Sequence, residues 1–213
     1  MADVAPLRKL ILTPYFGKFP EWFHKFEPPV GYDWLLDVNF NGFKQRVRER
    51  LNIDYPGEFG GAKVWDYRCA LGLLYSRELQ GYDYWATMDF DMCFGDVDKW
   101  FPDSEIRQLD VWSNHDTYVC GPWTLYKNSG RVNTLFMDHP DWLKILEAPQ
   151  VSGWVEDGYS RVLEQSGLKY RYSFHQGDPY HPPFNLKKID GRLFQDGTEI
   201  PMLHFRREKT WPL

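Results

Sequence analysis

Cysteine is scarce in this sequence of 213 residues. The three cysteines, Cys69, Cys93 and Cys120, are an odd number, and no two of them form a Cys-x-x-Cys pair. A disulfide framework needs paired cysteines and a structural zinc site needs closely spaced ones, so this pattern argues against both. We therefore expect a protein of a reducing compartment.

Long apolar runs and basic runs are also absent. No stretch approaches the roughly eighteen apolar residues of a membrane-spanning helix, and Leu10–Leu12 is much shorter than a signal-peptide core. The 25 basic and 30 acidic residues give a net charge of −5, with no cationic stripe that could follow a nucleic-acid backbone. We expect a soluble, cytoplasmic protein with no membrane span and no nucleic-acid partner.

A glycine-rich phosphate loop is the third absence, because neither a P-loop nor a Gly-x-Gly-x-x-Gly motif occurs. A bound diphosphate would therefore depend on a metal ion and on nearby cationic side chains. The sequence is rich in aromatic residues, which make up 18% of it. Much of this ring surface serves packing, and the rest favours stacking on sugars or bases, because a ring face is apolar.

The order of apolar segments predicts a single α/β domain over residues 1–213. Strands are predicted at Leu7–Leu12, Trp34–Val38 and Tyr84–Met88, with an amphipathic helix at Phe43–Leu51 and a longer buried helix at Trp65–Leu79. Because strands and helices alternate, the central sheet should be largely parallel, with ligands bound at its C-terminal edge. Further predictions are strands at Leu109–Trp112, Thr124–Lys127, Tyr170–Phe174 and Ile200–His204, helices at Asp141–Leu146 and Val155–Gln165, and a loop over 175–185.

An Asp-x-Asp motif follows the strand Tyr84–Met88. In extended chain, residues two apart point to the same side, so Asp89 and Asp91 can direct both carboxylates at one point. Such a pair suits Mg²⁺ or Mn²⁺, which prefer oxygen ligands. A solvated acidic turn is the ordinary alternative, but the apolar strand before the motif, together with Phe90 and Phe94, favours a loop held against the core and a functional pair.

Two other function classes stay open. A haloacid-dehalogenase-like phosphotransferase also places Asp-x-Asp after an apolar strand and uses the first aspartate as nucleophile. That motif belongs on the first strand and ends in Thr or Val, whereas Asp89 comes late in this chain and Cys93 takes the last position. A non-catalytic carbohydrate-binding domain would account for the aromatic residues and leave the aspartate pair unexplained.

Several motifs occur in a set order along the chain. Thr13-Pro14-Tyr15-Phe16-Gly17 follows the first strand, Trp65-Asp66-Tyr67-Arg68 opens the long predicted helix, and Asp89-Phe90-Asp91 leads to Phe94-Gly95-Asp96. In this order, with the late His204, they resemble the GT-A class of nucleotide-sugar glycosyltransferases. The likeness covers nearly the full chain and is closest to the small glycosyltransferase domain encoded by chlorella viruses.

The resemblance implies a single GT-A-like, Rossmann-related α/β domain whose central sheet is mixed, mostly parallel and flanked by helices. It also implies an enzyme that moves a hexose or deoxyhexose, of glucose or rhamnose type, from a UDP-sugar to a hydroxyl of a glycan or glycoprotein. Mn²⁺ or Mg²⁺ would be the cofactor, held by Asp89 and Asp91. For a viral member the setting would be the host cytoplasm and the product a capsid glycan.

The resemblance also assigns donor-binding residues. The loop after the first strand would hold the uridine, with the Tyr15 ring either stacked on uracil or capping the strand end. Asp66 and Arg68 would contact the base, ribose or donor sugar, although helix capping explains an N-terminal aspartate equally well. The donor-binding residues implied in this way are Thr13, Pro14, Tyr15, Phe16, Asp66, Arg68, Asp89, Phe90, Arg206 and Lys209.

Acidic residues resembling the acceptor position of the class lie at Glu156 and Asp157. Either could be the catalytic base, and a solvated charge pair at a helix end is the alternative. The sequence leaves open whether the reaction inverts or retains the sugar configuration.

Strand alternation near the C-terminus places Met202, His204 and Arg206 on one side. A late histidine is a metal ligand in some members of the class, so His204 is a hypothetical third ligand beside the two aspartates, with packing as the alternative. Arg206 and Lys209 would then reach the diphosphate as charge-assisted donors.

Overall fold

A computed structural model of the protein describes residues 5–177 and 185–205. Short 3₁₀ segments occur at Glu21–Lys25, Ala62–Ala70 and Leu135–Asp138, and a π-helical segment occurs at Val155–Tyr159. The β-strands in these ranges are β1 Lys9–Pro14, β2 Asp33–Asp37, β3 Tyr84–Met88, β4 Met92–Phe94, β5 Val111–Ser113, β6 Trp123–Lys127, β7 Tyr170–Tyr172, β8 Leu186–Ile189, β9 Arg192–Gln195, β10 Thr198–Ile200 and β11 Met202–His204. The α-helices are α1 Phe40–Leu51, α2 Leu71–Leu74, α3 Val97–Trp100, α4 Asp103–Ile106, α5 Gly130–Thr134, α6 Trp142–Glu147 and α7 Ser160–Gln165.

The central sheet contains six of the described strands in the order β2-β1-β3-β6-β5-β7. Strand β1 pairs in parallel with β2 and β3, and β5 pairs in parallel with β7. Strand β6 runs antiparallel to both of its neighbours, β3 and β5. The structure thus confirms a mixed, largely parallel α/β sheet. Because β1 and β3 are adjacent and parallel, the loops that follow them meet at one edge of the sheet.

Both faces of the sheet are covered by buried apolar residues. Along β3 the side chains alternate, so that Trp85 packs in the cluster that contains Phe43 of α1, whereas Ala86 packs in a second cluster with Phe101. Trp85 also stacks on its cross-strand partner Tyr126, with ring centroids 4.1 Å apart and planes 13° from parallel. Such a pair adds roughly 0.5–1.5 kcal/mol beyond area burial, so the first half of β3 is firmly held in the core.

The predicted long helix over Trp65–Leu79 is wrong as a continuous α-helix. The chain forms the 3₁₀ segment Ala62–Ala70 and then the single α-helical turn of α2. The Asp66 carbonyl accepts a hydrogen bond of 2.9 Å from Nε1 of Trp154, a residue far away in the sequence. This tertiary bond and the low helix propensity of Gly72 both work against a regular α-helix.

The predicted strand Ile200–His204 is divided in two by Pro201, which has no backbone N–H to give to a ladder. Strand β10 pairs with β9, whereas β11 pairs antiparallel with β4. The predicted helix Val155–Gln165 is present, but its first turn is π-helical. The middle of the predicted loop over 175–185, residues 178–184, lies outside the described residues.

Strands β8, β9 and β10 form an antiparallel meander that the sequence analysis did not predict. Its two turns are Asp190-Gly191 and Asp196-Gly197, and all four residues have positive φ, from 49° to 81°. An Asp-Gly pair between short apolar runs is a strong hairpin signal, since both central residues of the turn need positive φ. The signal was therefore present in the sequence.

Two further expectations can be compared with the described residues. All three cysteines are buried and unpaired, in agreement with the absence of a disulfide framework. None of the helices in residues 5–177 and 185–205 has the length and apolar character needed to cross a bilayer.

Gly95, directly after β4, lets the meander approach the β4–β11 ribbon. A Cβ atom at this position would lie 2.6 Å from the backbone nitrogen of Leu193 and 2.9 Å from the carbonyl oxygen of Ile200. Gly95 also donates its N–H to the carbonyl of Pro201, at 2.8 Å. The ribbon and the meander are therefore in backbone contact here.

We predict that Gly95→Ala lowers the free energy of unfolding by about 1–3 kcal/mol, because backbone atoms must move to accept the methyl group. Urea denaturation measures this loss. The matched control is Gly130→Ala, at the start of α5, where an added Cβ would meet nothing within 4 Å and stability should be unchanged or slightly higher. Equal stability of the two variants would contradict the predicted close contact.

Candidate metal centre

Three potential metal ligands converge at the C-terminal edge of the sheet. Asp89 and Asp91 follow β3, and His204 ends β11. One donor atom from each lies within 4.8 Å of the other two. Nε2 of His204 is 3.1 Å from Oδ1 of Asp91 and 3.7 Å from Oδ2 of Asp89. Two carboxylates and an imidazole form a chemically suitable donor set for a divalent cation.

Phe90 anchors the loop between the two aspartates. Its ring packs edge-on against Tyr15, with centroids 4.6 Å apart, and against Phe23, with centroids 5.3 Å apart. The chain bends at Phe90 and Asp91, and the half-buried Phe90 ring lines the cavity together with both aspartates, so these ring contacts hold the loop that carries the two carboxylates. The expectation that aromatic residues hold the motif against the core is confirmed.

The β4–β11 ribbon brings His204 to the aspartates. His204 pairs with Met92 across the ribbon, and the next N–H, that of Phe205, donates to the carbonyl of Asp91 at 2.9 Å. The predicted alternation of side chains is present in the described part of this segment. Met202 packs in one apolar cluster, whereas Leu203 and Phe205 pack in another. His204 is buried and is therefore held in a defined place beside the aspartates.

Arg68 forms an ion pair with Asp89 through its Nη2 atom. Its guanidinium passes over Gly121, where a Cβ atom would collide with Nη1 of Arg68. The pair occupies Oδ1 of Asp89 and leaves Oδ2 directed at His204. The candidate metal centre thus already contains one cation provided by the protein, the guanidinium of Arg68.

A cavity of about 690 Å³ opens above these residues. It has the size of a pocket for a small organic ligand. Nine of the predicted site residues line it: Thr13, Pro14, Tyr15, Arg68, Asp89, Phe90, Asp91, Glu156 and His204. Arg206 and Lys209, which were expected to reach a diphosphate, lie outside the described residues.

The last residues of β1, Thr13 and Pro14, which the sequence analysis placed in the loop after the first strand, line the cavity together with Tyr15 of the loop that follows. The Tyr15 hydroxyl donates to the carbonyl of Lys18 at 2.9 Å, and burial raises the pKa of Tyr15, so its phenol is neutral. Thr13 is buried, and its hydroxyl oxygen accepts a 3.0 Å hydrogen bond from Nε1 of Trp34. These bonds hold the Tyr15 ring in the wall, in contact with the aspartate loop.

Two of the predicted residues point away from the cavity. Phe16 is buried in the core beside α1, with its ring centroid 5.0 Å from that of Phe43. Asp157 has a side chain that is 73% exposed and pairs with Arg161 at 2.7 Å, one helical turn later. Of the two acidic residues proposed as base, only Glu156 lines the cavity.

Asp66 is placed in the core rather than in the cavity. Its carboxylate accepts hydrogen bonds from Nζ of Lys63 at 2.8 Å, from the N–H and hydroxyl of Ser152 at 3.0 and 3.1 Å, and from the N–H of Gly153 at 3.1 Å. Both Asp66 and Lys63 are buried. The structure therefore gives Asp66 the role of tying the 3₁₀ segment to the chain before the π-helical turn.

Sequence reasoning missed several residues that line the cavity, among them Trp65, Leu71 and Thr87. Trp65, Arg68 and Leu71 are spaced by three, which is the repeat of a 3₁₀ helix, so they share one face.

The hydroxyl of Thr87 is buried and has no hydrogen-bond partner in the described part of the chain. Cys93, two residues after Asp91, packs in a buried apolar cluster with Leu193 and Leu203, and burial raises the pKa of its thiol to about 12.

A family profile described as "Family of unknown function (DUF6625)" matches residues 34–190, most of the chain. The chain belongs to the DUF6625 family. The matched range contains both aspartates, Arg68 and Glu156, whereas the loop after β1 and His204 lie outside it. The candidate metal centre therefore combines potential ligands from inside and outside the matched range.

Comparison with characterised proteins adds little to the family assignment. No curated protein matches the chain significantly. Among solved structures, the crystal structure of A197 from STIV is similar at a TM-score of 0.37 and 12% identity, over 92% of this chain and 94% of that one. A likeness at this level carries no argument about fold or function.

We predict that Asp66→Asn lowers the free energy of unfolding by about 3–5 kcal/mol, because it leaves the buried ammonium of Lys63 without its counter-charge. Denaturation with urea measures the change. Asp157→Asn removes an exposed carboxylate from a surface pair, so it should cost no more than about 1 kcal/mol. If Asp66→Asn changes the free energy of unfolding as little as Asp157→Asn does, the Asp66 carboxylate does not stabilise the fold through Lys63 and Ser152.

Proposed function

We propose that this DUF6625 protein is a metal-dependent glycosyltransferase of the GT-A type. In this proposal it transfers a hexose or deoxyhexose from a UDP-sugar to a hydroxyl of a glycan or glycoprotein. The observation that carries the proposal is the convergence of Asp89, Asp91 and His204 in a cavity of about 690 Å³. The mixed sheet, with β1 and β3 side by side, supports the GT-A-type fold as part of the same proposal.

The donor set favours Mn²⁺ over Mg²⁺. Mg²⁺ strongly prefers oxygen ligands, whereas an imidazole nitrogen such as that of His204 suits a transition metal better. The cation would neutralise the negative charge that the diphosphate gains as it leaves the sugar. In a chain without a glycine-rich phosphate loop, this charge compensation has to come from a metal and from side chains such as Arg68.

The wall formed by the β1 loop suits a pyrimidine nucleotide. Tyr15 contributes a neutral aromatic ring beside the aspartate motif, and a ring in this position can stack on a base. Thr13 and Pro14 line the same cavity. We therefore propose that uridine lies against Tyr15, with its diphosphate extending toward Asp89 and Asp91.

Glu156 is the better candidate for the catalytic base. It lines the cavity and is exposed, so its carboxylate can meet an acceptor hydroxyl. Asp157 is engaged with Arg161 at the surface. A carboxylate close to the acceptor is what an inverting transfer requires, because the acceptor hydroxyl must lose a proton as it attacks the sugar.

The test measures the binding of UDP, GDP and CMP with and without Mn²⁺. Isothermal titration calorimetry gives the affinity, and the shift in melting temperature gives an independent readout. A ligand that binds only the folded state raises the melting temperature. We predict that UDP with Mn²⁺ stabilises the protein and that Asp91→Asn weakens this metal-dependent binding at least about tenfold, since it removes a charged ligand and keeps the shape.

Asp157→Asn is the matched control, because it removes one carboxylate outside the cavity and should leave UDP affinity unchanged. The proposal fails if Mn²⁺ does not improve UDP binding, if GDP or CMP binds as tightly as UDP, or if a folded Asp91→Asn variant binds UDP and Mn²⁺ normally.

Arg68 provides a second prediction about the metal centre. Its guanidinium competes with a metal ion for Asp89, so Arg68→Met should raise the affinity for Mn²⁺ alone, by about tenfold, while weakening UDP in the presence of Mn²⁺. Isothermal titration with each ligand measures both effects.

The control for this prediction is Arg131→Met, which breaks the exposed ion pair with Asp138 and should change neither affinity. Gly121→Ala tests the same point without removing the charge, because its methyl group displaces the guanidinium. Unchanged Mn²⁺ affinity in both Arg68→Met and Gly121→Ala would show that Arg68 does not compete for Asp89.

A further inference from the structure

Trp65 is exposed at the mouth of the cavity. The Trp65 residue is 54% exposed, and the other tryptophans in residues 5–177 and 185–205 are buried or half-buried. A large aromatic side chain gains stability by burial, so an exposed indole in a cavity wall indicates a surface that a ligand covers.

The 3₁₀ segment explains why Trp65 faces the cavity. Neighbouring residues Val64, Asp66 and Tyr67 are buried, whereas the three-residue repeat aligns Trp65 with Arg68 and then with Leu71 of α2. Leu71 is only 1% exposed, so the stripe runs from the open mouth at Trp65 to the cavity floor. Arg68, in the middle, contacts Asp89.

Trp65 and Tyr15 contact different residues of the site. Trp65 lies beside Arg68, whose guanidinium carbon is 5.9 Å from the indole centroid. Tyr15 instead contacts Phe90. Because Trp65 and Tyr15 contact different residues, a nucleotide placed against Tyr15 in the proposed function leaves Trp65 available for another ligand.

Glu156 lines the same cavity as Trp65 and is likewise exposed. It belongs to the π-helical segment Val155–Tyr159, which packs against the 3₁₀ segment that carries Trp65. The cavity thus combines an open aromatic face with an accessible carboxylate. A saccharide has the matching chemistry, because one face of its ring presents C–H groups and its hydroxyls donate hydrogen bonds.

We propose that Trp65 and Glu156 form a saccharide-binding subsite for the acceptor, with the sugar ring stacked on the indole and a hydroxyl directed at the carboxylate. The acceptor role rests on the proposed glycosyltransferase function, whereas the binding of a saccharide can be tested without it. The subsite lies next to Arg68, so an acceptor there is close to the proposed metal-bound diphosphate.

The test is saturation-transfer NMR of the full chain with methyl glucoside and methyl rhamnoside as probes. The measurement is made with UDP and Mg²⁺, which is diamagnetic, and repeated without them. We expect at least one glycoside to bind through its ring C–H groups. Trp65→Ala should weaken that binding about tenfold, and Trp65→Phe should retain part of it.

Phe59→Ala is the matched control, since Phe59 is 65% exposed and lies outside the cavity lining. It should not change glycoside binding, and Trp65→Ala should leave both the melting temperature and the affinity for UDP with Mn²⁺ unchanged. The subsite is overturned if neither glycoside binds, if Trp65→Ala binds them normally, or if Trp65→Ala weakens UDP instead. Glycoside binding that needs Trp65 in a protein that does not bind UDP supports the saccharide site and rejects the glycosyltransferase.

Discussion

The pairing of β11 with β4 is the contact on which the candidate site depends. These two short strands bring His204 next to Asp91, although the residues are 113 positions apart in the chain. The ribbon is held by backbone hydrogen bonds at both ends, from Gly95 to Pro201 and from Phe205 to Asp91. Without it, the two aspartates would form an acidic loop with no third ligand, which is a common surface feature.

The 3₁₀ segment Ala62–Ala70 makes an equally large contribution from the opposite side of the cavity. Its three-residue repeat sends one face into the core, where Asp66 and Lys63 form a buried pair, and the other into the cavity, where Arg68 meets Asp89. In a regular α-helix, which has about 3.6 residues per turn instead of 3.0, residues three apart would no longer lie directly above one another. The form of this one segment therefore decides which side chains reach the candidate metal centre and which become structural.

The aromatic residues serve two purposes in this molecule. Rings such as Trp85 and Tyr126 stack in the core, and the cluster around Phe90 holds the aspartate loop. Tyr15 and Trp65 instead line the cavity. Composition shows only that aromatic residues are abundant, whereas burial separates the packing rings from those that a ligand can reach.

Much of the fold and part of the site follow from the sequence alone. The alternation of apolar strands and helices predicted the largely parallel α/β sheet, and the bounds of β3 agree with the predicted Tyr84–Met88. Asp89 and Asp91 come together as predicted, because they belong to one short segment, although the chain bends at Phe90 and Asp91 instead of continuing as an extended strand. The Asp-Gly turns of the β8–β10 meander were also readable from sequence, since they depend on local backbone conformation.

Other features were decided only by tertiary structure. Which face of β11 meets the aspartates depends on a strand pairing between distant segments, and the 3₁₀ form of Ala62–Ala70 depends in part on the hydrogen bond from Trp154 to Asp66. Asp66 was expected to contact a donor, yet it is buried because Lys63, Ser152 and Gly153 surround its carboxylate. Periodicity shows that a segment has a buried face, but the partners that bury it come from elsewhere in the chain, and those partners determine which polar residues remain free to act.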